Sequence, residues 1–185
     1  MSTKDEAELV AECLAAGPDS CRRLVESFGP LVKAVAINVL GNREDAEDVC
    51  QETFVQVFRN LDRYDRTRSF KTWLLTIVYR RSLDMIRKRR RFKEFAARAR
   101  YEPAATRAGR TSDAGDPPPL PARYLDVLSP KERTALCLWA NEGYAAASIA
   151  EVLGCAPSTA RVLLFSARRK IKAILEKSHG LVQAG

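Results

Sequence analysis

The sequence predicts an all-α protein made of two small helical domains joined by a flexible linker. Apolar side chains recur every three or four residues through most of the 185-residue chain, which is the helical period. Gly, Pro and Asn interrupt this pattern at intervals of helix length. Residues 96–121 lack large aliphatic side chains almost completely, so they cannot bury a core. We expect domains at 1–93 and 124–176, a linker at 94–123 and a tail at 177–185.

Two helices are predicted before residue 41. The first has a capping-box start at Thr3 and Glu6 and stops at Gly17-Pro18. The second covers about residues 19–40, and Gly29-Pro30 is expected to kink it. These two helices form half of the predicted first domain.

Two more helices complete that domain. Asn42 is expected to cap a helix over residues 43–60, whose apolar face includes Ala46 and Phe54. A polar loop at 62–69 then leads to a fourth helix that starts near Phe70.

The second domain is predicted to contain a helix-turn-helix. Ser129 and Glu132 have capping-box spacing around Pro130, which suits the first helical position. Gly143 ends this helix, and a short helix (145–153), a Gly-containing turn and a long helix (157–176) follow. The predicted core face of the first of these helices is formed by Leu136, Trp139 and Ala140.

Charge and composition favour a polyanionic partner. The formal net charge is +8, and 46% of the residues are hydrophobic, as in an ordinary globular protein. No apolar run has the length of a membrane span, and the N-terminus has no signal-peptide core, so we expect a soluble cytoplasmic chain without membrane insertion. A basic protein that is merely soluble remains the alternative.

Cysteine and histidine usage predicts neither a metal site nor a cofactor. Zinc sites need about four thiolate or imidazole ligands in close pairs, but the only histidine is His179 and no CxxC pair occurs. The odd number and wide spacing favour reduced thiols. Cys50 and Cys137 are expected to be buried as small hydrophobes. The five cysteines are Cys13, Cys21, Cys50, Cys137 and Cys155.

The segment from Phe70 to Arg91 combines aromatic rings with clustered cations. Eight of the fourteen residues from Arg80 to Lys93 are Lys or Arg. Rings stack on exposed bases and cations hold phosphates, so the segment is typical of a single-stranded nucleic-acid site. For Trp73, burial in the core is the alternative.

The long helix of the second domain has the pattern of a DNA-reading helix. Ser158, Thr159 and Arg161 are placed to meet base edges in the major groove, and the basic residues at 168–172 are placed to meet phosphates. The apolar run 162–164 is expected to touch either a thymine methyl group or a protein. A structural helix pair with a solvated charged face is the alternative.

Three stretches together resemble bacterial sigma factors of the extracytoplasmic-function group. They are DAEDVCQETFVQVFRNL (45–61), FKTWLLTIVYRRSLDMIRKRRR (70–91) and LSPKERTALCLWANEGYAAASIAEVLG (128–154) with the helix that follows. The resemblance covers residues 5–92 and 124–176. It implies a dissociable subunit of RNA polymerase, with sigma region 2 in the first domain and sigma region 4 in the second.

The resemblance also implies a role for each surface. The acidic stripe on the third helix would bind the clamp helices of core polymerase, through Asp45, Asp48, Gln51 and Glu52. The −10 promoter element would be melted and held by Phe70, Lys71, Trp73, Arg80, Arg81, Ser82, Arg87, Lys88, Arg90 and Arg91. The −35 element would contact Ser158, Thr159, Arg161, Phe165, Arg168 and Arg169. An anti-sigma factor is the further partner that the resemblance implies.

This chain departs from the family pattern in its DNA-reading residues. Arg80 stands where many members have Asn, so the resemblance does not assign the identity of the base captured from the −10 element. Val162 and Leu163 stand where Ser and Arg are common, and Ala147 and Ser148 where acidic residues are common. These differences predict an unusual −35 preference or greater use of phosphates and DNA shape.

Two other functions are compatible with parts of the sequence. A stand-alone helix-turn-helix regulator would explain residues 128–176 but leaves the Phe70–Arg91 segment without a role. An anti-sigma-binding or adaptor protein that keeps the fold without promoter activity is the other, and the apolar run 162–164 supports it. No triad, P-loop or metal-activated water site is evident in the sequence, so we do not expect an enzyme.

Overall fold

Seven α-helices make up the part of the chain that the structure, a computed structural model, describes: residues 3–16, 18–98 and 127–183. The helices are α1 (Thr3–Ala16), α2 (Pro18–Leu40), α3 (Arg43–Asn60), α4 (Phe70–Arg98), α5 (Pro130–Glu142), α6 (Ala146–Leu153) and α7 (Pro157–Gln183). A short 3-10 turn at Leu61–Arg63 follows α3. The all-α prediction is confirmed. Most of the predicted linker lies outside the described residues, and its first residues, 94–98, belong to α4.

The first four helices pack around one apolar core. α1 contacts α2, and Leu9 and Val10 of α1 belong to the same buried cluster as Leu24 and Phe28 of α2. α2 continues through Pro30, although proline removes one backbone donor. The Thr3 side chain of the predicted capping box lies outside the described side chains.

Local capping signals predict the starts of α3 and α5 correctly. The Asn42 side chain accepts hydrogen bonds from the backbone N–H of Glu44 at 3.0 Å and of Asp45 at 3.5 Å. Ser129 and Glu132 form the full capping box, with distances of 3.3 and 2.8 Å. Gly143 ends α5 with a φ of 66°, which favours glycine.

The helix-turn-helix is also confirmed. Gly154 adopts a left-handed φ of 62° and ends α6. The axes of α6 and of the 157–176 part of α7 then differ by 101°. This angle lies within the usual range for the motif.

The two helical units are packed against each other. α5 contacts α2, α6 contacts α4, and Leu138 and Ile149 belong to the same buried cluster as Leu74. The polar contacts at this boundary include Asn38 Nδ2 with Cys137 Sγ at 3.1 Å. The second unit therefore covers part of the first, although the linker in the sequence predicts two separate bodies.

Two of the cysteine expectations are changed by the fold. Cys13 and Cys21 form a disulfide, although their spacing had suggested reduced thiols. α1 packs against α2, and the Cα atoms of Cys13 and Cys21 lie 4.8 Å apart. Cys137 is buried as predicted, whereas Cys50 is only half-buried.

No single helix among the described residues is long and apolar enough to cross a membrane. Taken together, α6 and the 157–176 part of α7 form a bent pair that has the length and composition of a membrane span, and length and composition are the only criteria that it meets.

Candidate polymerase and nucleic-acid interfaces

The predicted polymerase-binding stripe on α3 divides into an exposed part and a buried residue. Asp48, Gln51 and Glu52 are exposed on α3. Asp45 is only 7% exposed, because the C-terminal half of α4 passes over it. The exposed stripe is therefore Asp48, Gln51 and Glu52.

Asp45 forms an ion pair within the chain. Its Oδ1 lies 2.6 Å from an Nη atom of Arg89 on α4. Burial raises the pKa of Asp45, and the charge of Arg89 opposes that rise. The second carboxylate oxygen, Oδ2, is buried and has no hydrogen-bond partner in the described part of the chain. This geometry fits a contact between helices better than a contact with a second protein.

A groove between α3 and α4 brings the polymerase-binding and −10 predictions together. The Arg81 guanidinium donates to the side-chain oxygen of Gln56 at 2.7 Å. Glu52 and Arg59 line the same groove, whose volume is about 390 Å³. Gln56 and Arg59 were not among the predicted site residues, although Gln56 lies one helical turn after Glu52 on the same side of α3.

The aromatic residues at the start of α4 belong to a cluster in the core. The Phe70 ring lies 5.1 Å from the Phe28 ring and 5.4 Å from the Tyr64 ring, and Phe70 is 2% exposed. Trp73 lies 5.0 Å from Tyr64 and is half-buried. Phe70 therefore supports the loop before α4, and only Trp73 of this pair offers a surface to a base.

Two further residues of the −10 prediction are engaged inside the chain. Ser82 is fully buried, and its hydroxyl donates to the backbone carbonyl of Val78 at 2.9 Å. The Lys71 ammonium pairs with Glu142 of α5 at 2.6 Å and lies 5.8 Å from the Tyr144 ring centroid. Ser82 is thus a structural residue, and Lys71 must leave α5 before it can meet a phosphate.

A strip of exposed cations follows along α4. Arg87 pairs with Asp84 at 2.9 Å, and Arg90 pairs with Glu94 at 2.9 Å, both in the exposed part of the helix. Exposed pairs of this kind contribute about 0–1 kcal/mol, so a phosphate can replace the carboxylate. The strip comprises Arg80, Arg87, Lys88, Arg90 and Arg91, all exposed.

The first turns of α7 present all six residues of the −35 prediction to solvent. Phe165 is 67% exposed. The three residues of the apolar run point in different directions around the helix. Val162 is 64% exposed, Leu163 is half-buried against the core and Leu164 is buried. Only Val162 of that run therefore shares the outward face with Ser158, Thr159, Arg161, Phe165, Arg168 and Arg169.

Trp139 is placed differently from the prediction. Its spacing predicts the core face of α5, but Trp139 is 43% exposed, and Ala140 is exposed too. The Arg168 guanidinium lies 3.7 Å from the centre of the Trp139 ring. This stacking holds a predicted phosphate-binding arginine against α5.

A buried carboxylate connects the start of α5 to the reading helix. Glu132 accepts hydrogen bonds from Ser166 at 2.7 Å and from Lys170 at 2.8 Å, besides its capping bond to Ser129. Burial opposes its ionisation, but these hydrogen bonds prevail and lower the pKa of Glu132 to about 2. The orientation of α7 is thus fixed by an ionised residue in the first turn of α5.

Family models match both helical units. The model described as Sigma-70 region 2 matches residues 24–92, and the one described as Sigma-70, region 4 matches residues 122–171. These matches contain the α3–α4 groove and the helix-turn-helix, respectively.

Relatives and solved structures agree with these matches. RNA polymerase sigma factor CarQ of Myxococcus xanthus is 31% identical over 160 residues, 85% of this chain and 90% of CarQ. ECF RNA polymerase sigma factor EcfG of Rhodopseudomonas palustris (strain TIE-1) is 31% identical over 157 residues, 85% of this chain and 86% of EcfG.

Among solved structures, CnrH in complex with the cytosolic domain of CnrY has a TM-score of 0.67 at 25% identity, over 93% of this chain and 97% of that one. The sigma factor RpoE from Bartonella quintana, in complex with the anti-sigma factor NepR, shares the fold with a TM-score of 0.70 at 22% identity, over 84% of this chain and 96% of RpoE. The chain belongs to the extracytoplasmic-function (ECF) group of the sigma-70 family of RNA polymerase sigma factors.

Proposed function

We propose that this chain binds core RNA polymerase, recognises the −10 and −35 promoter elements and promotes DNA melting at the start of transcription. The observation that carries the proposal is the presence, in one chain, of two separate exposed surfaces with side chains of the kinds that bind nucleic acid. One is the exposed cationic strip of α4, and the other is the exposed first part of α7. Like other sigma factors it would act by binding, without catalysis of its own, in the cytoplasm where the polymerase works.

The exposed stripe of Asp48, Gln51 and Glu52 is the proposed polymerase contact. An acidic surface steers encounter with a basic partner and sets its register. The adjoining α3–α4 groove, where Glu52 lies near Arg81, would place the −10 DNA beside the polymerase clamp. Trp73, Arg80 and Arg81 are the proposed contacts for the opened strand. Upstream phosphates would be contacted by Arg87, Lys88, Arg90 and Arg91.

We infer that an inhibitory anti-sigma factor is a further partner. The RpoE relative of the same fold was solved with an anti-sigma factor. Val162 and Phe165 are large apolar side chains, more than three-fifths exposed, on the face that reads DNA. A protein that covered them would gain apolar burial and block promoter contact together.

Transcription with purified core polymerase tests the proposal. Run-off transcript should appear only when this chain is added. Tight binding to a palindromic site without polymerase would instead support a stand-alone regulator. That alternative is not favoured, because it leaves both the exposed acidic stripe and the cationic strip of α4 without a role.

A further inference from the structure

We propose that Cys13 and Cys21 form a reversible disulfide that responds to low-molecular-weight disulfides of the glutathione class and fastens α1 to α2. The inference rests on the proposed function in one respect: a polymerase subunit works in a reducing compartment. Disulfides in such compartments are usually transient or redox-sensing.

The fold selects this pair among the five cysteines. Cys13 lies in the last turn of α1 and Cys21 in the first turn of α2, and a Cα separation of 4.8 Å lies within the range that a disulfide needs. The other three cysteines are free and stand on or beside α3, α5 and α6. Burial raises the pKa of the Cys137 thiol to about 11 and also raises that of Cys50, so both are poorer nucleophiles near neutral pH.

The two sulfurs differ in their exposure to solvent, and this difference decides which of them reacts first. Cys21 is partly exposed, whereas Cys13 is 6% exposed and packs with the core. Cys21 is therefore the sulfur that a soluble oxidant meets first, and Cys13 is the resolving thiol.

The exchange balances with oxidised glutathione as the oxidant. The Cys21 thiolate attacks one glutathione sulfur, forms a mixed disulfide and releases one glutathione thiolate. Cys13 then loses its proton to solvent and attacks the Cys21 sulfur, which releases the second glutathione. Two protein thiols are oxidised by two electrons, and one glutathione disulfide is reduced to two thiols. Excess reduced glutathione reverses both steps.

The disulfide acts on a helix that supports the start of α4. Glu6 of α1 is buried, and its carboxylate accepts a hydrogen bond from the backbone N–H of Lys71 at 3.4 Å. Glu6 and Val10 also line a cavity of about 220 Å³ against the loop before Phe70. Fastening α1 to α2 therefore holds the residues that brace the proposed melting segment.

Thiol trapping on the full chain tests the site itself. The protein is equilibrated in buffers of reduced and oxidised glutathione, quenched in acid, alkylated and mapped by mass spectrometry. We expect Cys13 and Cys21 to become bridged together as the buffer becomes oxidising, with Cys137 alkylated only after unfolding. Free Cys13 and Cys21 in a large excess of oxidised glutathione, or bridges to other cysteines, would overturn the proposal.

Hydrogen exchange of residues 3–16 tests the consequence. We expect oxidation to slow exchange in α1 by roughly 10- to 100-fold, as the closure of a short loop predicts. Cys21→Ser, a change at a partly exposed position, should exchange like the reduced wild type under both conditions. Equal exchange in oxidised and reduced wild-type protein would refute the fastening role. Neither measurement needs polymerase, so each stands apart from the sigma-factor assignment.

Discussion

The ammonium group of Lys71 lies 2.6 Å from a carboxylate oxygen of Glu142, so a residue proposed to meet promoter DNA is held by the other helical unit. Both side chains are largely shielded from solvent, with 27% and 20% of their surfaces exposed. Arg68 and Glu151 make a second, longer ion pair across the same boundary at 3.6 Å. The packed arrangement of the two units therefore competes with the −10 contact of Lys71.

Glu142→Gln should release Lys71 for DNA. We expect the isolated protein to bind a −10 fork-junction DNA roughly 3- to 10-fold more tightly, because one ammonium group no longer has to leave a partner. Fluorescence anisotropy at fixed salt measures the change. Glu151→Gln is the matched control, since it removes the same charge from an exposed pair that contributes little. An equal gain in both variants would assign the effect to net charge alone.

Asp48→Arg should abolish binding to core polymerase and leave the fold intact. The side chain is exposed on α3, so the reversed charge repels a basic partner without disturbing the core. Glu47→Arg is the control on the same helix, because Glu47 points toward Lys33 and Arg43 instead. Affinity is measured by polymerase pull-down or biolayer interferometry, and folding by circular dichroism. Unchanged affinity in Asp48→Arg would contradict the proposed surface.

Changes at Asp45 should affect stability more than polymerase binding. Arg89→Ala leaves the buried Asp45 carboxylate without its cation, and we expect a loss of about 1–3 kcal/mol in the free energy of unfolding. Asp45→Asn together with Arg89→Ala should recover part of that loss, because no buried charge then remains. Urea unfolding of the two single variants and the double variant gives the coupling energy. A coupling energy near zero would mean that the Asp45–Arg89 ion pair does not stabilise the fold.

Local signals in the sequence predicted the helix ends better than the partners of side chains. Asn42 and Ser129 cap their own helices, so neighbouring residues decide the outcome. Asp45 and Glu52 lie seven residues apart and point in nearly the same direction, so periodicity could not separate them. The buried position of Asp45 depends on α4, which extends far enough to bring Arg89 over it but leaves Glu52 open.

The other differences between prediction and structure also depend on how the helices pack against each other. Helical spacing from Leu136 predicts that Trp139 lies on the core face, whereas its partner, Arg168, comes from a helix about thirty residues later. The Cys13–Cys21 disulfide depends on the packing of α1 against α2, which spacing alone does not give. Ser82 is buried because α4 turns that side toward the core, whereas Arg80 and Arg81 turn outward or toward α3.

Glu132 should make the free energy of unfolding depend on pH under acidic conditions. Its pKa is about 2 in the fold against an ordinary value of 4.5, so the carboxylate stabilises the protein fully above pH 4.5. That contribution, on the order of 3 kcal/mol, is lost as the pH falls from 4.5 toward 2.

Glu132→Gln should therefore flatten the pH dependence of the unfolding free energy in that window. Thermal or urea unfolding at several pH values checks this. Glu176→Gln is the control, since Glu176 lies exposed in an ion pair with Lys172. If the Glu132→Gln and wild-type curves remained parallel from pH 4.5 to pH 2, the hydrogen bonds from Ser166 and Lys170 would not have the assigned strength.

Arg161 and Arg169 should separate base reading from phosphate binding on α7. Arg161 is exposed in the second turn, where a recognition helix meets base edges, so Arg161→Ala should cost about 1–3 kcal/mol and relax sequence preference at one −35 position. Arg169 lies two turns further along, so Arg169→Ala should weaken binding uniformly and reduce the log–log salt slope by about 1. Holoenzyme binding to a −35 substitution series at several salt concentrations measures both effects. Loss of sequence preference in Arg169→Ala but not in Arg161→Ala would mean that α7 enters the groove in a different register, because the residue nearer the base edges must be the one that discriminates among them.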